Sequence, residues 1–61
     1  MDNDKLTKMY RDALERAKGY MDDEMLYHTH LYYCLQFAEL LGIDKETVFQ
    51  ELKEEVRQRM L

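Results

Sequence analysis

Proline and serine are absent from this chain, glycine occurs only at positions 19 and 42, and there is a single cysteine, Cys34. Each absence excludes something. Without proline, and with two glycines in 61 residues, the chain has few places to break, so helices are its natural structure. Without serine there is no serine nucleophile, and two isolated glycines cannot build a phosphate-cradling loop. One cysteine allows no intramolecular disulfide. The opening Met1-Asp2-Asn3-Asp4 lacks the basic and apolar segments of a secretory leader, and no run is long enough to span a bilayer, so the cytoplasm is the expected compartment. A surplus of basic residues is missing too. The formal net charge of -4 disfavours nucleic acid and anionic membrane surfaces as non-specific partners, because both attract proteins through Lys and Arg.

What is present is 46% hydrophobic and 36% charged residues, too apolar for a disordered chain. A domain of this size buries only about 60% of the surface its unfolded chain exposes, and small domains usually need a staple. With no disulfide and no cluster of metal ligands, helix packing and homodimerisation are the stabilisers left. One helical domain over residues 1–61 is expected.

Asp4 is placed to cap a first helix, after which Leu6, Tyr10, Ala13, Ala17 and Tyr20 recur in alternating steps of four and three, with Met9 and Leu14 widening the stripe. The chain should break between Gly19 and Asp23, where Asp22, Asp23 and Glu24 put negative charge at the N-terminus of the next helix. Gly42 follows Leu41 as a left-handed C-cap would, Ile43 and Asp44 supply an apolar N′ residue and an N-cap, and Ile43 can staple onto Val48. A third helix then turns Val48, Phe49, Leu52, Val56 and Met60 to one side. The fold class read from this pattern is all-α, a small three-helix bundle with helices at about residues 4–21, 23–41 and 44–60, completed by homodimerisation.

The second helix is the unusual one. Over residues 25–41, Leu26, Tyr27, His30, Leu31, Tyr33, Cys34, Phe37, Ala38, Leu40 and Leu41 fall in one broad arc, leaving Thr29, Tyr32, Gln36 and Glu39 as a narrow polar stripe. A surface helix needs a narrower apolar stripe, so this arc should bury itself between two helices, or against one helix and a second copy of the chain. Five tyrosines add to the impression, since a ring with a polar tip suits interfaces. Tyr32 on the polar stripe gives a monomer little. Tyr27, His30, Tyr32, Tyr33 and Phe37 are the candidate interface residues.

His28 and His30 lie two apart and point to nearly opposite sides of a helix, so they cannot chelate together. His30 and Cys34 share a face but lack the further ligands of a closed zinc site, and neither a metal nor a cofactor is expected. His30 reads as a buried imidazole hydrogen-bonded to a tyrosine or carboxylate, or as an interface group that makes association pH-dependent. His28 is placed to pair with Glu24 one turn earlier. A Cys34–His30 nucleophile and base would project from a packed arc without a third partner, so no enzyme is expected.

From Cys34 to Lys53 the chain resembles a helix-turn-helix, with Ala38 as the small residue, Gly42 at the turn, and Ile43 and Val48 closing the corner. In that alternative Lys45, Phe49, Gln50 and Lys53 would face DNA, together with Asp44 and Glu46, whose carboxylates would confront phosphates. Any tight helix-glycine-helix corner produces the same spacing. The function expected is therefore a non-catalytic, acidic protein-interaction or regulatory module acting through self-association and partner binding. Its partners would be a second copy of itself and another protein. A DNA-binding regulator and a structural assembly subunit are the alternatives.

Overall fold

The computed structural model describes residues 3–60, which form three α-helices: α1 (Asn3–Gly19), α2 (Glu24–Leu41) and α3 (Lys45–Met60). No strand occurs among the described residues. The all-α three-helix bundle read from the sequence is the fold, and the helix ends differ from that reading by at most two residues. Helix α1 begins before Asp4, which lies in its first turn, and it stops at Gly19, so Tyr20 and Met21 belong to the turn.

Both junctions are built by side-chain and backbone caps. The Asp23 backbone is extended, and its carboxylate accepts from the Leu26 N–H at 3.2 Å, starting α2. At the other end Gly42 takes φ 77°, a left-handed conformation for which glycine lacks the usual steric penalty. Its N–H donates to the Glu39 carbonyl at 3.1 Å, and the Ile43 N–H donates to the Ala38 carbonyl at 2.8 Å. Those two bonds make a Schellman motif. The Asp44 carboxylate accepts from the Glu46 N–H at 3.2 Å and starts α3. Ile43 folds back against the core that contains Val48, as a staple does.

The core is drawn from all three helices: Tyr10, Ala13, Leu14 and Ala17 of α1, Cys34 and Ala38 of α2, and Val48 and Leu52 of α3. Its residues are small where α1 meets α2. Ala13, Ala17, Cys34 and Ala38 are all buried there, so the two antiparallel helices approach closely and run along one another. Helix α3 packs on this hairpin less extensively, and the molecule is long, 39 × 20 × 15 Å.

Close packing through small residues has a cost for the broad arc of α2. Larger neighbours are pushed to the flanks, and only Cys34 and Ala38 are fully buried. Tyr27, Leu31, Phe37 and Leu41 are half-buried, whereas Leu26, Tyr33 and Leu40 stand 40%, 47% and 65% exposed. Of the two ways in which the arc was expected to bury itself, packing between two other helices covers only its centre. The apolar side of α3 is cut down in the same way, since Val48 and Leu52 are buried while Phe49, Val56 and Met60 are exposed. Met9 on α1 and Tyr20 in the turn after it are exposed as well.

A polar latch holds the far end of α3. Lys18 on α1 bridges Glu15 and Glu51, each at 3.3 Å, and the Arg59 guanidinium donates to the Lys18 carbonyl at 2.6 Å and to Glu55 at 3.1 Å. Burial opposes the Lys18 charge, but its hydrogen bonds to both carboxylates outweigh that and raise its pKa.

Candidate functional site

Helix α2 carries only Glu24 and Glu39, one near each end, and no Asp, Glu, Lys or Arg occurs from Met25 to Ala38. Helices α1 and α3 carry charge along their whole lengths. In a chain with 36% charged residues, one helix therefore offers an uncharged outer surface. On it Leu26, His30, Tyr33, Phe37 and Leu40 succeed one another at steps of four and three, the spacing of a seam meant to meet another helix. Among the described residues none lies over Leu26, Tyr33 or Leu40 closely enough to bury it.

Beside this seam a groove of about 360 Å³ runs between α1 and α2, lined by Met9, Asp12, Arg16, His30, Tyr33 and Phe37. Aromatic contacts set its side chains. The His30 ring is half-buried and stacked on Tyr20, with centroids 5.1 Å apart and planes 24° from parallel, and it meets the edge of Tyr33 at 6.1 Å. No hydrogen bond to the imidazole occurs among the described residues, and ring stacking takes the place of the one expected of a buried histidine. Tyr32 stands 60% exposed, as its place on the polar stripe predicts, touching only the ring of Tyr33 at 6.1 Å. Among the five candidate interface residues, Tyr27 and Phe37 are half-buried and packed against the core. His28 makes an edge contact with Tyr27 at 5.5 Å and forms no ion pair with Glu24.

Leu26 and Leu40 at the two ends of the seam escaped the sequence reading as interface residues, and so did Asp12 and Arg16 on its rim. The signal was present in two forms: the four-three spacing from Leu26 to Leu40, and the charge-free run around it. Treating the arc as one surface, buried between two helices or against a second copy, hid both. Asp12 and Arg16 lie one turn apart, and neither takes part in an ion pair among the described residues.

Cys34 is fully buried, and burial pushes its thiol from 9.0 up to about 11, so it stays protonated and unreactive at neutral pH. No group of three or more His, Cys, Asp or Glu side chains able to hold a metal ion occurs among the described residues. A second groove, of about 410 Å³, opens between α1 and the α2–α3 corner, lined by Thr7, Tyr10, Arg11, Leu41, Thr47 and Glu51 among others. Burial pushes the Tyr10 phenol up, and the nearby Cys34 and Glu51 add to this, so that groove offers no activated base.

On α3, Lys45, Phe49, Gln50 and Lys53 are all exposed, with Glu46 and Glu54 among them. Arg57 pairs with Glu54 at 3.6 Å and Arg59 with Glu55 at 3.1 Å. Two of the cations that a phosphate-binding face would use are thus already matched by carboxylates on the same helix. No helix among the described residues is long and apolar enough to cross a membrane. Comparison with family models, with curated proteins and with solved structures finds no match to this chain.

Proposed function

We propose that the chain is a small non-catalytic protein-interaction module that acts through self-association and partner binding, and that the uncharged face of α2 is its working surface. One observation carries this reading: Leu26, Tyr33 and Leu40 lie 40% to 65% exposed along one side of α2, a helix with no charged residue from Met25 to Ala38. Interface cores are depleted in charge and enriched in tyrosine, methionine and phenylalanine, and this face also holds Met25 and Phe37. A fold that needed these residues for itself would have covered them.

The test separates folding from binding. Leu40→Glu and Tyr32→Glu each place a carboxylate on the face without touching the core. At low protein concentration both variants should keep the helix content and melting midpoint of the parent, because exposed substitutions usually change stability by less than about 0.5 kcal/mol. In sedimentation velocity up to about 1 mM, where even weak contacts become populated, the parent should associate and Leu40→Glu should not. Loss of helix content in the dilute variants would overturn the reading, since the face would then belong to the fold.

A further inference from the structure

The groove between α1 and the α2–α3 corner shares no lining residue with the one beside α2. Its floor is apolar, with Leu14 buried and Leu41 and Ile43 half-buried, and its exposed rim carries Thr7, Arg11, Thr47 and Glu51. We propose that this groove binds a small apolar amino acid, its carboxylate on Arg11, its ammonium on Glu51 and its side chain against Leu14, Leu41 and Ile43.

The groove has the size and the free polar groups of a ligand site. Its volume of about 410 Å³ falls in the range of small-molecule pockets, roughly 300–1,000 Å³. Tyr10 lines it while only 7% exposed, and the Tyr10 hydroxyl makes no hydrogen bond among the described residues. That hydroxyl is not sealed off either, because no sealed side-chain polar atom among the described residues lacks a partner. It therefore opens onto the groove. The Thr7 and Thr47 hydroxyls beside it are unbonded too, unlike that of Thr29, which donates to the Met25 carbonyl at 2.9 Å. Three hydroxyls with unused hydrogen-bonding capacity thus converge over an apolar floor.

Charge selects the ligand. Arg11 forms no ion pair among the described residues. Glu51 meets Lys18 at 3.3 Å, but Lys18 is shared with Glu15 at the same distance, so two carboxylates face one ammonium and that end stays negative. The Tyr10 phenol feels both ends: burial pushes it up, Glu51 adds to the rise and Arg11 opposes it. A simple anion would suit Arg11 but be repelled by Glu51 and by a chain of net charge -4, and a simple cation would be repelled by Arg11. A ligand with both charges and no net charge suits both ends. The span agrees. Arg11 and Lys18 lie seven residues apart on one face of α1, about 10 Å along its axis, with Glu51 held at the Lys18 end. An ammonium and a carboxylate on one carbon, each hydrogen-bonded outward at about 2.8 Å, span roughly 8 Å. The flexible Arg11 side chain closes the difference.

Leucine and its two halves test the assignment. Titrated into the isotope-labelled chain, L-leucine should move the amide resonances of Arg11, Ile43 and Thr47 saturably, with a Kd of about 1–10 mM for so small a ligand. The ammonium-free 4-methylpentanoate and the carboxylate-free 3-methylbutylamine should each bind about tenfold more weakly. Arg11→Gln alters an exposed position, so it should keep the helix content of the parent, bind leucine about tenfold more weakly and bind 3-methylbutylamine unchanged. No saturable shift at those amides up to about 50 mM leucine, well above the expected Kd, would overturn the site. Binding of 4-methylpentanoate as tight as that of leucine would overturn the pairing of ammonium with Glu51 and with it the ligand class. Undiminished leucine binding by Arg11→Gln would overturn the carboxylate's place.

Discussion

Cys34 is fully buried in the core where α2 packs on α1, and its chemistry is set by that burial. Burial raises its thiol to about 11 from 9.0, which gives the sign of a pH effect. A group whose folded pKa lies above its unfolded value contributes stability that is complete below the unfolded value and is lost as pH rises through the folded one. Tyr10 and Lys18 are shifted in the same direction, so all three make the fold labile to alkali and none to mild acid. The urea midpoint should therefore hold steady to about pH 9 and fall between there and pH 11, with Cys34 alone accounting for roughly 2 kcal/mol. Cys34→Ala should flatten that decline while lowering the midpoint at neutral pH; an unchanged slope would show that the thiol is not its source. Iodoacetamide below pH 9 should label native protein far more slowly than protein in denaturant.

Much at this scale could be read from the sequence, and some could not. The caps at Asp23, Gly42 and Asp44 were legible because a cap depends on residue type and the next few positions. The partners of His28 and His30 were not, because their ring contacts are set by side-chain rotamers and, for Tyr20, by the turn after α1.

At the scale of elements, the two glycines make opposite predictions. Gly42 holds φ 77° at the end of α2, and a Cβ added there would meet nothing within 4 Å, so the cost of Gly42→Ala is one of backbone conformation alone. A loss of about 1 kcal/mol is expected. Gly19 closes α1 without a positive φ, and a Cβ there also meets nothing within 4 Å, so Gly19→Ala should stabilise by up to about 1 kcal/mol. Chemical denaturation of the pair checks both signs. Helix α3 should be the least protected element, because it buries only Val48 and Leu52 and its last two turns are held by the Lys18 and Arg59 latch. Amide exchange should run faster over residues 53–60 than at Ala13, Ala17 or Ala38, and Arg59→Ala should widen the difference.

The elements themselves were the most legible feature of the chain. Their periodicity and the scarcity of breakers placed each helix within two residues of its position. What the pattern could not convey was how closely α1 and α2 would approach. Ala13, Ala17, Cys34 and Ala38 look like ordinary members of an apolar stripe, but as a matched set of small side chains they draw the helices together and leave the bulky flank residues uncovered.

At the scale of the whole molecule, a fold that leaves Leu26, Tyr33 and Leu40 in water should gain stability from its own concentration. If two chains associate through α2, the thermal midpoint should rise as protein concentration is raised, and that rise should vanish in Leu40→Glu. A midpoint independent of concentration in the parent would place the working surface in contact with a different protein. The face could have been found from the sequence by asking where charge is missing instead of where apolar residues recur. That signal is global, since the uncharged run of α2 stands out only against the density of charge in its neighbours.

The placement of charge on α1 and α3 also bears on how large an assembly can grow. Once two uncharged faces have met, what remains outside is a shell of aspartate, glutamate, lysine and arginine with twice the formal charge of one chain. If two chains associate through α2, such a particle repels its own kind, and although the exposed Phe49, Val56 and Met60 of α3 interrupt the polar shell, like charge opposes growth past two. In such a dimer the highly charged outer helices would act as a stoichiometric stop.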